Sequence, residues 1–129
     1  MDTQGAEASG EGIRSAAVVG LGLLGSALGA CLLEDGLHVT GCDVEPDRAQ
    51  AFERLGGCAA ATPAEAARGT QVLFTCLMRA SIVREVLLGP GGASEHLSPG
   101  ATVVDISTVL PEECEALAAD LAARGVAFL

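Results

Sequence analysis

The feature that most constrains the fold of this chain is a regular alternation of short apolar segments with helical segments. The apolar segments are continuous rather than interleaved with polar residues, which is typical of strands buried on both faces. Strands are predicted at residues 16–19, 38–42, 58–60, 71–76, 101–106 and 126–129, and helices at residues 26–35, 46–55, 63–68, 80–88 and 111–124. The pattern predicts an α/β fold: a Rossmann-type, doubly wound, mostly parallel sheet of about six strands with helices on both faces.

The length of 129 residues matches a single domain, since domains average ~150 residues. We assign residues 13–129 to this domain. Residues 1–12 are polar, acidic and rich in Gly and Ala, and they lack the basic and apolar regions of a signal peptide. This segment is predicted to be a disordered leader.

Composition excludes several classes of partner. The net charge is -10, which disfavours binding to nucleic acid or to an anionic membrane surface, and the apolar runs are too short to span a bilayer. The 5 cysteines are scattered without a C-x-x-C pair, so they predict neither a disulfide framework nor a zinc site. We expect them to be small buried hydrophobic residues in a reducing, cytoplasmic protein.

A G-x-G-x-x-G sequence follows the first predicted strand and opens the first helix, which is the context that a dinucleotide fingerprint requires. Gly20 is expected to make the tight turn, Gly22 to let the backbone approach a pyrophosphate, and Gly25 to let the helix pack on the strand. The helix N-terminus would then bind the phosphate charge. The residues between the glycines complete the predicted cofactor contacts: Leu21, Leu23 and Leu24. A plain strand–helix turn is the alternative.

An acidic residue, Asp43, follows the second predicted strand. A carboxylate at this position can accept hydrogen bonds from ribose hydroxyls and would repel a 2′-phosphate, so it predicts NAD rather than NADP as the cofactor. Arg48 is close enough in sequence to weaken that preference. The alternative is that Asp43 simply caps the second helix.

Four segments in the expected order resemble the β-hydroxyacid dehydrogenases. They are residues 18–29, 62–67, 83–89 and 105–111, the last being Asp-Ile-Ser-Thr-Val-Leu-Pro. The family includes 3-hydroxyisobutyrate dehydrogenase and 6-phosphogluconate dehydrogenase, and the resemblance covers their N-terminal NAD(P)-binding domain. Family members usually have Met where this chain has Leu24 and Leu28.

The resemblance implies further site residues. Leu77 and Met78 would line the cofactor, although the family commonly has Leu-Pro there. Thr108 would lie against the nicotinamide half, with Ser107 on the substrate side. The alternative for Ser107 and Thr108 is that one of them caps the helix that begins near Pro111.

Family members carry a catalytic lysine and an asparagine after the sixth strand, and then an all-helical C-terminal domain. This chain contains neither Lys nor Asn, so no catalytic residue is assigned. His38 and His96 are expected to be structural, and Asp105 to orient a turn rather than to act as a base.

The resemblance implies an NAD(P)-binding domain of an oxidoreductase that transfers hydride between a nicotinamide cofactor and a small 3-hydroxyacid. This chain alone would lack turnover. The alternatives are a stand-alone nucleotide-binding module without catalysis and a relative of the imine reductases, which generally favour NADPH. We also expect self-association through an uncovered apolar face.

Overall fold

A computed structural model describes residues 12–129, so the predicted leader lies almost wholly outside the described residues. The strands are β1 (Ser15–Val19), β2 (His38–Cys42), β3 (Cys58–Ala59), β4 (Val72–Thr75), β5 (Thr102–Asp105) and β6 (Ala127–Phe128). The helices are α1 (Leu23–Glu34), α2 (Pro46–Arg54), α3 (Pro63–Ala67), α4 (Ala80–Leu88) and α5 (Pro111–Ala122), with a short 3-10 helix at Ala93–His96.

The strands form one six-stranded sheet in the order β3-β2-β1-β4-β5-β6, and every neighbouring pair is parallel. The predicted Rossmann-type fold is therefore confirmed, and the sheet is wholly rather than mostly parallel. The strand order reverses direction between β1 and β4. In open parallel sheets, ligands bind outside the carboxyl ends of the strands at such a reversal.

The core has two layers because successive side chains of a buried strand point to opposite faces. One layer contains Ala17 and Val19 of β1 and packs against α3, α4 and α5. The other contains Val18 of β1 and Val39 of β2 and packs against α1 and α2. This two-sided burial is what the continuous apolar strands predicted.

Phe52 of α2 occupies the centre of the second layer and is 1% exposed. A Cβ atom added to Gly29 of α1 would lie 2.5 Å from Cε1 of Phe52, and one added to Gly41 of β2 would lie 2.7 Å from its Cδ2. Gly57 meets the same ring. Gly29 therefore supports close packing of α1 against the ring of Phe52.

Most element boundaries differ from the prediction by one or two residues, and the start of α1 differs by three. Helix α1 begins at Leu23, three residues before the predicted start, because Gly22 occupies the N-cap without any side-chain cap to mark the helix start in the sequence. Strands β3 and β6 are two residues each. Pairing nevertheless continues beyond β6, since the Leu129 amide donates to the Val103 carbonyl at 2.9 Å.

The prediction that the cysteines are buried is wrong for two of them. Cys42 is buried and Cys76 and Cys114 are half-buried, but Cys31 and Cys58 are exposed. Cys58 is exposed because β3 is the edge strand of the sheet. All five are free thiols. Within residues 12–129, no helix combines the length and the apolar character needed to cross a bilayer.

Candidate functional site

The site is built on the carboxyl ends of the four central strands, where equivalent residues stand side by side. Val19 of β1 is in register with Cys42 of β2 and with Thr75 of β4, and Thr75 is in register with Asp105 of β5. The loops that follow these strands therefore leave the sheet at one edge. Backbone hydrogen bonds continue the pairing past the strands, from Gly20 to Cys42 and from Cys76 to Val19, both at 2.9 Å.

Two of the three fingerprint glycines are required by the protein's own packing. Gly20 has φ of +101°, and a Cβ atom there would overlap the Cys76 carbonyl oxygen. A Cβ atom on Gly25 would overlap the Gly20 carbonyl oxygen. These glycines therefore bring the start of α1 against the end of β1, as the fingerprint predicts.

Gly22 differs from both. A Cβ atom added there would meet no protein atom within 4 Å, and φ of −69° is open to any residue. Neither packing nor backbone conformation therefore requires glycine at this position. Helix α1 starts directly after it with no side-chain cap and no acidic residue in its first turn. A bare helix N-terminus beside an open glycine fits a bound phosphate group.

The three leucines of the fingerprint do not share one environment. Leu23 is 94% exposed and Leu24 is 60% exposed, so both side chains are available to a ligand. Leu21 is 2% exposed and packs in the second core layer, so its side chain faces the protein interior. Its carbonyl accepts a hydrogen bond from Ser26 Oγ at 2.8 Å, so Leu21 supports the loop from inside.

Asp43 bridges the glycine loop and the start of α2. Its side chain is 5% exposed, and its Oδ2 accepts a hydrogen bond from the Leu21 amide at 2.7 Å. Its Oδ1 accepts another from the Glu45 amide at 2.8 Å, and Arg48 Nη1 lies 3.7 Å from Oδ2. Asp43 is not the N-cap of α2, because Glu45 holds that position. Each carboxylate oxygen has a second lone pair, so Asp43 retains the capacity to accept hydrogen bonds from a ligand.

On the other half of the edge, Ser107 connects the loops that follow β4 and β5. Ser107 Oγ accepts a hydrogen bond from the Leu77 amide at 2.7 Å and donates one to the Thr75 carbonyl at 3.3 Å. Leu77 packs against the first core layer, while Met78 is 81% exposed. The resemblance assigned Leu77 and Met78 to the cofactor and Thr108 to its nicotinamide half, and these residues therefore lie on two connected loops.

The capping alternative for Ser107 and Thr108 is wrong. The N-cap of α5 is Leu110, and its amide donates to Glu113 Oε1 at 2.8 Å. Glu113 in the first turn thus satisfies the amide of the N-cap residue, and neither Ser107 nor Thr108 holds the N-cap position. Thr108 is exposed and precedes the helix by three residues.

Asp105 orients a turn, as expected from its place at the end of β5. Its Oδ1 accepts hydrogen bonds from Thr75 Oγ1 at 2.7 Å and from the Ser107 amide at 3.1 Å. Sequence reasoning missed Thr75, which is fully buried. The sequence signal for it was that Thr75 and Asp105 each end an apolar strand, so that parallel pairing of the two strands places them side by side.

Sequence reasoning also missed Val44, which follows Asp43 and is 95% exposed. A large apolar side chain in solvent at this edge offers a surface for a flat ring. No sequence pattern distinguished it from an ordinary loop residue.

Two cysteine thiols at this edge are held in their neutral form. Burial raises the pKa of Cys76 to about 11, and the negative charge of Asp105 adds to the effect. Burial also raises the pKa of Cys42, with smaller contributions from Asp43 and Glu65. A thiolate is the reactive form of cysteine, so neither thiol is prepared for nucleophilic chemistry.

The histidines do not join the site. His38 is the first residue of β2, and His96 ends the 3-10 helix that precedes β5, so both lie toward the amino ends of the strands. Among residues 12–129, no group of three or more His, Cys, Asp or Glu side chains is arranged to hold a metal ion.

Comparison with known proteins agrees with this geometry. Residues 15–129 match the model of the family described as the NAD-binding domain of 6-phosphogluconate dehydrogenase. L-threonate dehydrogenase of Cupriavidus necator is 36% identical over 90% of this chain and 39% of its own length. The chain thus spans about two fifths of the length of this relative, as an N-terminal domain would.

Solved structures show the same relationship. The 3-hydroxyisobutyrate dehydrogenase of Salmonella typhimurium superposes with a TM-score of 0.84 and 29% identity, over 89% of this chain and 40% of the other. An imine reductase of Streptomyces aurantiacus superposes with a TM-score of 0.78 and 31% identity, over 89% and 39% of the two chains. The chain therefore belongs to the family of NAD-binding domains typified by that of 6-phosphogluconate dehydrogenase, as found in hydroxyacid dehydrogenase-like oxidoreductases.

Proposed function

We propose that this chain binds NAD in preference to NADP, and that it is the cofactor domain of an oxidoreductase acting on a small 3-hydroxyacid. The observation that carries the proposal is Gly22, a glycine that the fold itself does not require, next to a helix that begins without a cap. A pyrophosphate at this point would account for both features, since it needs a close backbone approach and complements the positive end of the helix dipole.

The choice between NAD and NADP depends on Asp43. Its carboxylate lies under the glycine loop, held by the Leu21 and Glu45 amides, with lone pairs left for ribose hydroxyls. A 2′-phosphate here would face a carboxylate that is almost wholly buried. Repulsion between these like charges supports NAD, whereas Arg48 at 3.7 Å would partly offset it.

The nicotinamide supplies the hydride chemistry when the cofactor is bound, and the chain supplies orientation. Leu77, Met78 and Thr108 lie on loops at the second half of the edge and are proposed to contact the nicotinamide end. Two relatives are named for dehydrogenation of small hydroxyacids, which supports the substrate class. The proton-transfer residue is not proposed within this chain, because the sequence has no lysine or asparagine.

Calorimetric titration of the chain with NADH and NADPH tests this proposal. We expect NADH to bind weakly but measurably, and more tightly than NADPH. No heat of NADH binding at millimolar concentration would contradict the assignment of the site. Asp43→Ala should reduce or reverse the ratio of the two affinities, and the matched control Asp35→Ala, an exposed carboxylate at the far end of α1, should leave the ratio unchanged.

An imine reductase is the second candidate, favoured by the 31% identity to the Streptomyces aurantiacus structure. The same titration separates the two candidates, since tighter NADPH binding by the unaltered chain would favour the imine reductase. A stand-alone binding module would bind the cofactor equally well. It would differ in having no partner domain to complete a turnover.

Self-association is proposed to occur through apolar side chains exposed at the carboxyl edge of the sheet. They include Leu23, Leu24, Val44, Met78 and Leu110. Sedimentation velocity should show association that increases with protein concentration, and a monodisperse monomer at high concentration would contradict it.

The five free thiols support a reducing, cytoplasmic location.

A further inference from the structure

We propose that Ser107 is a positioning residue that fixes the loop after β4 against the loop after β5, rather than a residue that donates a hydrogen bond to the substrate. The inference rests on the proposed function, since it concerns the nicotinamide end of the same site. It changes the role that the sequence suggested, which put Ser107 on the substrate side.

The Ser107 hydroxyl already uses its donor within the protein. A serine hydroxyl has one proton and two lone pairs. Here the proton is directed to the Thr75 carbonyl at 3.3 Å, and one lone pair accepts the Leu77 amide at 2.7 Å. To donate to a substrate, Ser107 would have to give up its bond to β4. Only one lone pair remains for a ligand.

Ser107 is itself held by the end of its own strand. Its amide donates to Asp105 Oδ1 at 3.1 Å, and the same oxygen accepts Thr75 Oγ1 at 2.7 Å. The Ile106 amide donates to the Thr75 carbonyl at 2.9 Å. Side-chain and backbone bonds from the β5 loop thus converge on Thr75, whose side chain is fully buried.

The hydrogen bonds of Ser107 hold the backbone directly before the two exposed residues of these loops, Met78 and Thr108. Leu77, whose amide is bound by Ser107, is followed by Met78, which is 81% exposed. Ser107 is followed by Thr108, which is also exposed. Loss of the Ser107 hydroxyl would leave the Leu77 amide without this partner, and both exposed residues would move more freely. The free-energy cost of ordering the two loops would then reduce the affinity for the nicotinamide end.

The test compares two ligands that differ only at the nicotinamide end. NADH and ADP-ribose share the adenosine, the pyrophosphate and the second ribose. In the full chain, Ser107→Ala should weaken NADH binding by roughly three- to tenfold, the loss expected for one or two hydrogen bonds, and leave the ADP-ribose affinity within a factor of about two. Ser107→Thr, which keeps a hydroxyl, should restore the NADH affinity.

Ser15→Ala is the matched control. Ser15 is half-buried and its hydroxyl bridges to Gln71, with bonds of 3.3 Å and 3.4 Å, but it does so at the amino end of β1. This variant should leave both affinities unchanged. Thermal denaturation of each variant checks that the fold persists.

Three results would overturn the inference. Equal loss of NADH and ADP-ribose affinity in Ser107→Ala would mean a general structural role. An unchanged NADH affinity would mean that the hydrogen bonds of Ser107 do not position the loops for binding nicotinamide. Equal affinities of the unaltered chain for the two ligands would mean that these loops do not contact nicotinamide. Failure of the unaltered chain to bind either ligand would instead contradict the proposed function.

Discussion

The two halves of the carboxyl edge are held in position by different forces. In the glycine loop between β1 and α1, backbone atoms approach so closely that Gly25, against the Gly20 carbonyl, and Gly20, against the Cys76 carbonyl after β4, have no space for a side chain. Around β4 and β5, the loops are joined by hydrogen bonds among Thr75, Asp105 and Ser107. The first half depends on steric fit at these glycines, to which Asp43 adds hydrogen bonds from the Leu21 and Glu45 amides. The second half depends on polar groups alone, each of which contributes about 1 kcal/mol net.

This difference predicts how each half tolerates substitution. The energy of steric overlap rises steeply as two atoms come closer, and a backbone atom cannot rotate away as a flexible side chain can. Hydrogen bonds weaken gradually, and a neighbouring water can replace a lost partner at a half-exposed position. We therefore expect all-or-none effects in the glycine loop and graded effects in the β4 and β5 loops.

The largest effect is expected for Gly25→Ala. The added Cβ atom would overlap the Gly20 carbonyl oxygen, so the free energy of unfolding should fall by about 3 kcal/mol. Urea denaturation followed by circular dichroism measures this change. If the loop could relax, alanine's better helix propensity would instead raise the free energy of unfolding, by about 1 kcal/mol. That increase would contradict the steric account.

A smaller effect is expected in the second half for Thr75→Val. Valine keeps the shape of threonine but removes the hydroxyl that donates to Asp105, so unfolding should be easier by about 1–2 kcal/mol. Thr40→Val in β2 is the matched control, since the Thr40 hydroxyl bonds to no other residue within 12–129, and its change should stay within about 0.5 kcal/mol. Equal changes in the two variants would show that the Thr75–Asp105 bond contributes nothing.

The smallest effect concerns the reactivity of two thiols, Cys42 in the first half of the edge and Cys76 in the second. At pH 8, iodoacetamide should modify the exposed Cys31 and Cys58 well before Cys42 and Cys76, whose pKa values are raised by burial. Peptide mapping by mass spectrometry reports the order. Early modification of Cys76 in the folded protein would show that this part of the edge opens to solvent.

The Cys76 thiol also gives stability a pH dependence. Its pKa is about 11 in the folded protein against an ordinary value of 9.0, so the unfolded chain ionises first. The contribution is complete below pH 9 and is lost as the pH rises from 9 to about 11. A Cys76→Ala variant should show a flatter decline of melting temperature over this interval.

The sequence predicted those parts of the site that depend on backbone constraints. A glycine fingerprint between a strand and a helix needs only local spacing, and its placement followed once the strands were known. The parallel sheet followed from continuous apolar strands. The Thr62 cap of α3 is a contact of the same local kind, because a cap and its partner are close in sequence: the Glu65 amide donates to Thr62 Oγ1 at 3.1 Å.

The sequence could not predict contacts that depend on strand register. Thr75 and Asp105 are 30 residues apart and meet because β4 and β5 align them. Leu21 was grouped with Leu23 and Leu24 because all three lie between the fingerprint glycines, yet its side chain turns into the core beside Phe52. Ser107 looked like a helix cap by spacing alone. Its real partners lie on the neighbouring strand.

The most direct test of the central claim, that this edge binds a dinucleotide through the glycine loop, is the NADH affinity of Gly22→Ala. Because the added Cβ atom meets no protein atom within 4 Å, the melting temperature should fall only slightly, by the cost of replacing glycine with alanine at an N-cap. A pyrophosphate against the loop would meet that atom, so NADH affinity should fall by about tenfold or more. Unchanged affinity in a fully folded variant would contradict the account.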